Sequence, residues 1–164
     1  MSADVYVKPK PGHLIEVDIE RLSVKGQGIG VYGEYSVTLR GGVPGDRVLA
    51  RLRKVRHRRK ECDARIVDRI SDQVGRVGAK CEHFGVCGGC LWQDVPYEKQ
   101  VKLKERIVRE AVKPSDEVEI GTTLTAPSPL IYRNKMEFSV GQGEEGLVEI
   151  GLPPAGQFGT IFDL

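Results

Sequence analysis

Three of the four cysteines fall within ten residues, CEHFGVCGGC from Cys81 to Cys90, with the spacing Cys-x5-Cys-x2-Cys. Thiolates bind soft metals, and tetrahedral zinc sites and iron–sulfur clusters usually take four ligands. Gly88 and Gly89 separate Cys87 from Cys90. They permit a tight turn with positive φ, which brings two thiolates to one centre and aims backbone N–H groups at sulfur. The residues leave three readings open. Cys81, Cys87 and Cys90 are ligands of an iron–sulfur cluster, or of a zinc ion completed by Cys62 or His83, or they are free thiols packed in a core. Cys62 lies 19 residues upstream at the start of an expected strand, a place that suits a small core residue. No Ser/His/Asp or Cys/His catalytic arrangement is supported, and the cysteines serve better as ligands than as nucleophiles.

A second constellation is electrostatic. From Arg47 to Lys60 the sequence reads RVLARLRKVRHRRK, with eight Lys or Arg among 14 residues and no acid. The other 150 residues carry 17 basic and 23 acidic groups, so a positive stripe lies on an otherwise acidic protein. That is the electrostatic footprint of a polyanion partner. Arg51, Arg53, Lys54, Arg56, Arg58, Arg59 and Lys60 are the candidate phosphate contacts. YRNK (Tyr132–Lys135) adds Arg133 and Lys135 beside an aromatic. The single tryptophan, Trp92, serves either as a core anchor or as a stacking platform for a base. Gly28, Gly30 and Gly33 satisfy G-x-G-x-x-G, but no amphipathic helix follows them. They read as turn glycines and not as a dinucleotide fingerprint.

The elements that must position these groups follow from periodicity. Residues 1–11 read as a flexible lead-in. Residues 12–70 carry short alternating runs broken by glycine clusters: Ile15, Val17 and Ile19 with acids between them, a strand after GQG, Ser36–Arg40, the run after GGVPGD, and a last strand from Arg65 to Ile70. Five short strands in about 60 residues predict a small closed OB-like β-barrel, a fold that often binds oligonucleotides. Alternation puts Arg51 and Arg53 on one face of the fourth strand and Val48, Ala50 and Leu52 on the other. Beyond Val55 the apolar face is lost, so RHRRK is expected in an exposed loop. After the cysteines, Asp94 is positioned to cap a helix running to about Lys113 with an apolar stripe that includes Tyr97, Val101 and Val108. Residues 115–129 connect, with one possible strand. RNKMEFSV places Met136, Phe138 and Val140 on one strand face, GQGEEG turns, LVEIGL returns, and TIFDL is a final strand. The fold class is therefore α+β, mostly β, with residues 71–164 forming a second unit of cysteine segment, helix and short antiparallel sheet.

The combination of a small barrel, C-x5-C-G-G-C-x-x-Q ending at Gln93, a helix and SPLIYRNKMEFSV resembles the front half of the S-adenosylmethionine-dependent RNA uracil-C5 methyltransferases, above all the 23S rRNA branch. The resemblance covers Gly12 to Leu164. It implies that the barrel is a TRAM domain and that Cys81, Cys87 and Cys90 hold a [4Fe-4S] cluster. In that family the fourth cysteine follows a strand like TIFDL, so the fourth ligand is expected beyond Leu164. It further implies that the Rossmann-like domain for S-adenosylmethionine, the nucleophilic cysteine that attacks C6 of uracil and the carboxylate base lie downstream. Those groups activate C5 by a thiolate adduct on an unstacked base. The chain alone is then expected to bind RNA, in the first place rRNA, without methylating it. Arg133 and Lys135 match the family's basic segment, whereas Asn134 stands where a third basic residue is common. A zinc-stabilised stand-alone RNA-binding module and an electron-transfer iron–sulfur protein are the rival classes.

Composition bounds the rest. With 40% apolar and 29% charged residues the chain reads as a folded protein, and no 18-residue apolar run exists for a membrane helix. MSADVYVKPKPGH lacks the apolar centre of a secretory signal, so a cytoplasmic location is expected by default; a monomer is expected as well. Clustered cysteines in a reducing compartment favour metal ligation over disulfides.

Overall fold

The computed structural model describes residues 7–113, 115, 118–142, 146–154 and 161. Five strands close a barrel: β1 (Leu14–Leu22), β2 (Gly28–Tyr32), β3 (Tyr35–Leu39), β4 (Arg47–Arg56) and β5 (Glu61–Ser71), in the order β1-β2-β3-β5-β4. Neighbours are antiparallel except β3 and β5, which run parallel with Val37 opposite Cys62 and Leu39 opposite Ala64. β4 returns to β1, pairing Val48 with Val17 and Ala50 with Ile15, and this leaves no free edge. Alternation fills the interior. Ile15, Val17, Ile19, Val48, Ala50 and Leu52 all point inward, and Arg51 and Arg53 point outward as their spacing predicts.

Two glycines belong to this packing. A Cβ on Gly30 would lie 2.3 Å from both the Asp18 carbonyl oxygen and Val17 Cγ1, so β1 and β2 meet only because the side chain is absent. Gly33 takes φ +58° in the β2–β3 turn. The G-x-G-x-x-G match is thus barrel architecture.

β1 serves two cores. A bulge at Glu20, where the pairing register shifts between Ile19 and Arg21, reverses the inward parity. Leu22 therefore turns away from the barrel interior and joins Val43, Val74, Trp92 and Val95 in a second buried cluster. Leu91 of the cysteine segment and Leu103 and Ile107 of helix α1 (Tyr97–Val112) pack on that cluster. Asp46, buried in the β3–β4 connection, joins the two cores by charge. Its carboxylate accepts from the Val43 N–H at 3.0 Å and pairs with Arg76, which reaches Asp94 at 2.5 Å; Arg69 lies 3.6 Å from Asp94.

Three expectations change. Asp94 does not cap α1: the N-cap is Pro96, with no side-chain cap, because the Asp94 carboxylate is taken by Arg76. RHRRK is not a loop: Arg56 still belongs to β4, and His57–Arg59 form a 3₁₀ turn closed by Lys60 at φ 54°. The strand expected from Met136 starts only at Ser139. β6 (Ser139–Gln142) pairs with β7 (Val148–Gly151), whose last register partner, Gly151, faces Ser139. Among the described residues no strand pairs with Met136 or Phe138, so the described ladder begins at Ser139. Residues 115 and 118–129 carry no strand, and TIFDL falls outside the described residues except Ile161. Among the described residues no helix is long and apolar enough to cross a membrane.

Candidate metal centre and nucleic-acid interface

The cysteine segment is a chain of tight turns fastened to the barrel from outside. The Cys81 carbonyl accepts from the Phe84 N–H, and the His83 carbonyl accepts from the N–H groups of Val86 and Cys87. Arg40, at the end of β3, donates to the Gly88 carbonyl at 2.6 Å and so anchors the CGGC turn. Trp92 follows two residues after Cys90 and is 7% exposed; it is the core anchor, which fixes the segment's exit.

Cys81 and Cys90 are exposed and Cys87 is half-buried, so the reading of three thiols packed in a core does not hold. Polar hydrogens are aimed at two of the sulfurs. The Gly89 N–H donates to Cys87 Sγ at 3.3 Å, and the Gln93 amide donates to Cys90 Sγ at 3.9 Å. The Gln93 carbonyl in turn accepts from the Cys81 N–H at 2.7 Å. One side chain thus ties the first cysteine to the third. This is a role that Gln93 did not reveal in sequence, because an amide is informative only once both of its partners are placed. The donor set suits a thiolate-bound group in its chemistry: accessible sulfurs with N–H donors directed at them. The described residues do not gather three or more His, Cys, Asp or Glu side chains around one centre.

Cys62 is separate. It is 1% exposed inside the barrel core, and burial pushes its thiol pKa up, with the neighbouring Asp63 charge adding to the rise. That is the packing role its position predicts.

The basic run divides into free and engaged cations. Arg56 forms a two-pronged pair with Asp63, at 3.2 and 2.8 Å, which raises the guanidinium pKa. Lys60 pairs with Glu34 and lies 5.1 Å from the centre of the Tyr35 ring. Arg51 is exposed and, among the described residues, donates only to the Gly12 carbonyl, at 3.3 Å. Arg53, Lys54, Arg58 and Arg59 make no ion pair or side-chain hydrogen bond among the described residues and face solvent. In the second basic segment, Arg133 lies 3.6 Å from Met136 Sδ and Lys135 pairs with Glu137 at 2.7 Å; neither is in a strand.

No family model matches the chain. It is 36% identical over 152 residues to an uncharacterized RNA methyltransferase of Caldanaerobacter subterraneus, covering 90% of this chain and 33% of that protein. It is 38% identical over 130 residues to an uncharacterized RNA methyltransferase of Clostridium acetobutylicum, covering 78% and 28%. It is 36% identical over 133 residues to the 23S rRNA (uracil(1939)-C(5))-methyltransferase RlmD of Alkalilimnicola ehrlichii, covering 79% and 29%. The chain spans about a third of the length of these curated relatives. A similarity that takes in barrel, cysteine segment and helix together makes the chain a homologue of one such stretch of the RNA methyltransferase family.

Proposed function

We propose that this chain is the RNA-engaging and cluster-holding portion of an S-adenosylmethionine-dependent uracil-C5 methyltransferase acting on rRNA, with the methyl-transfer groups outside these 164 residues. The observation that carries the reading is the run of similarity to RNA methyltransferases across 90% of the chain. The exposed Arg51 and the cations of Arg53, Lys54, Arg58 and Arg59, which have no ion pair among the described residues, support it, since a row of such cations on a barrel follows a phosphate backbone without reading sequence. Arg133 and Lys135 form a second, smaller contact.

Cys81, Cys87 and Cys90 hold a [4Fe-4S] cluster, with the fourth thiolate supplied from outside this sequence. Such a group provides a rigid cross-link in a segment that has few core residues of its own. The Gly89 N–H and the Gln93 amide orient Cys87 and Cys90 and stabilise their thiolate charge by hydrogen bonding. The reaction needs a nucleophile, a base and a methyl donor but no electrons, so the cluster's part is structural. The test is anaerobic purification of the full-length protein with quantitation of iron, sulfide and zinc. About four irons per chain with broad absorption near ~400 nm are expected for a thiolate-bound cubane. One zinc in a colourless protein overturns the cluster assignment.

A further inference from the structure

A groove of about 640 Å³ runs between the β1–β2 turn, the cysteine segment, α1 and the stretch around Tyr132. That volume falls within the ~300–1,000 Å³ typical of ligand sites. Its floor is apolar, built from Leu91, Trp92, Val95 and Ile107, and Lys25, Lys80, Lys104 and Arg133 stand around it. Among the described residues no Asp or Glu lines it. Lys25, Lys80 and Lys104 are exposed and make no ion pair or side-chain hydrogen bond among the described residues. In a chain with 23 acids to 25 bases, four cations around one apolar groove without a carboxylate are a local excess of charge. The Trp92 indole N–H, buried at the floor, has no acceptor among the described residues, and the Tyr132 ring is 70% exposed at the groove.

We infer that this groove binds unstacked bases of a single-stranded RNA, with Lys25, Lys80, Lys104 and Arg133 taking the flanking phosphates. The inference rests on the RNA-methyltransferase reading and extends its smaller contact at Arg133 into a site distinct in chemistry from the barrel's basic run. The run offers charge alone and suits single and double strands equally. The groove offers an apolar floor and an aromatic ring together with charge, the combination by which proteins hold unpaired nucleotides. A paired base cannot enter it, because its faces are covered by its neighbours in the stack. A segment of polypeptide is the other conceivable occupant, but an apolar one leaves four cations without counter-charge, whereas an RNA strand supplies a phosphate for every base.

The test uses the full-length protein and fluorescence anisotropy with a short uridine-rich RNA, free and annealed to its complement, over a range of salt. Three variants are compared: Lys80→Glu with Lys104→Glu, Tyr132→Ala, and Arg53→Glu with Arg58→Glu on the barrel. The groove pair is expected to weaken single-strand binding about ten-fold and to lower the salt slope by about 1.4, at ~0.7 per phosphate contact. Duplex binding should change less than about two-fold. Tyr132→Ala should cost single-strand binding about five-fold or more, as loss of one stacking ring does. The barrel pair should weaken both forms alike. Lys25→Glu, on a different element, repeats the groove result if the double variant does not fold. Wild-type single-strand affinity in the groove variants beside a weakened barrel variant overturns the groove site alone. Absence of RNA binding in every form overturns the RNA reading beneath it.

Discussion

At the scale of the residue, chemistry separates the four cysteines more sharply than spacing does. Cys62 is enclosed by the barrel and the others reach solvent, so iodoacetamide should label Cys81, Cys87 and Cys90 of the metal-free protein quickly and Cys62 only on unfolding, as read by mass spectrometry. The raised pKa of Cys62 also gives a pH dependence of known sign. Its thiol ionises more readily in the unfolded chain than in the folded one. Its contribution to stability is therefore complete below the unfolded-state value, near 9.0, and is lost as pH rises toward the higher folded value. Denaturant titrations at rising pH should show a steeper loss of stability in the wild type than in Cys62→Ala, the difference not exceeding about 1.4 kcal/mol per pH unit for one proton. Gln93 acts at the same scale on the other cysteines. Replacing it with Ala removes the acceptor of the Cys81 N–H and the donor to Cys90 Sγ. Faster hydrogen exchange at Cys81 is expected, with barrel stability within about 0.5 kcal/mol of wild type because the side chain packs in neither core.

At the scale of the element, the β1 bulge and the buried carboxylate of Asp46 decide how the cysteine segment sits on the barrel. Asp46→Ala leaves Arg76 without its buried partner, and unpairing a buried ion pair costs about 3 kcal/mol. The loss should appear in denaturant unfolding together with faster exchange in residues 74–95, since Arg76 then holds only Asp94 and the Gly41 carbonyl. Gly30→Ala should destabilise the barrel by about 2 kcal/mol or more through the clash with Asp18 and Val17 and should leave nucleotide binding untouched, the opposite of what a dinucleotide loop would do. These elements also mark what the sequence could reveal. The strands of the barrel were legible because one face of each is buried, so Val48, Ala50 and Leu52 alternate visibly with Arg51 and Arg53. The parallel pairing of β3 with β5 was not legible, because register across a crossover leaves no local pattern. Asp94 carried the signature of a helix cap, and a partner 18 residues away outbid the local bond. The apolar period around Met136 was real, but a strand also needs an opposite neighbour, and periodicity does not say whether one exists.

At the scale of the whole molecule, a net charge of +2 conceals an arrangement that electrostatics can test. Eight cations lie in one 14-residue run, and the structure engages some of them: Arg47 with Glu16, Arg56 with Asp63 and Lys60 with Glu34. Arg53, Lys54, Arg58 and Arg59 have no such partner among the described residues. A cation already neutralised by a carboxylate releases little when it meets a phosphate, because that carboxylate must first be set free. A free cation on the surface displaces a condensed counterion from the RNA at once. If the run is the phosphate-binding face, then Arg53→Ala and Arg58→Ala should each lower the slope of log affinity against log salt by about 0.7 for single-stranded RNA. Arg56→Ala should leave that slope nearly unchanged while loosening the β4–β5 pairing around Asp63. Equal slopes for all three variants would show that the run acts as a diffuse positive field. A loss confined to Arg56→Ala would move the RNA to the Asp63 side of the barrel. The outcome expected from the structure is the graded one, because the ion pairs on the barrel wall have already sorted the run into cations that hold the fold and cations left for a partner.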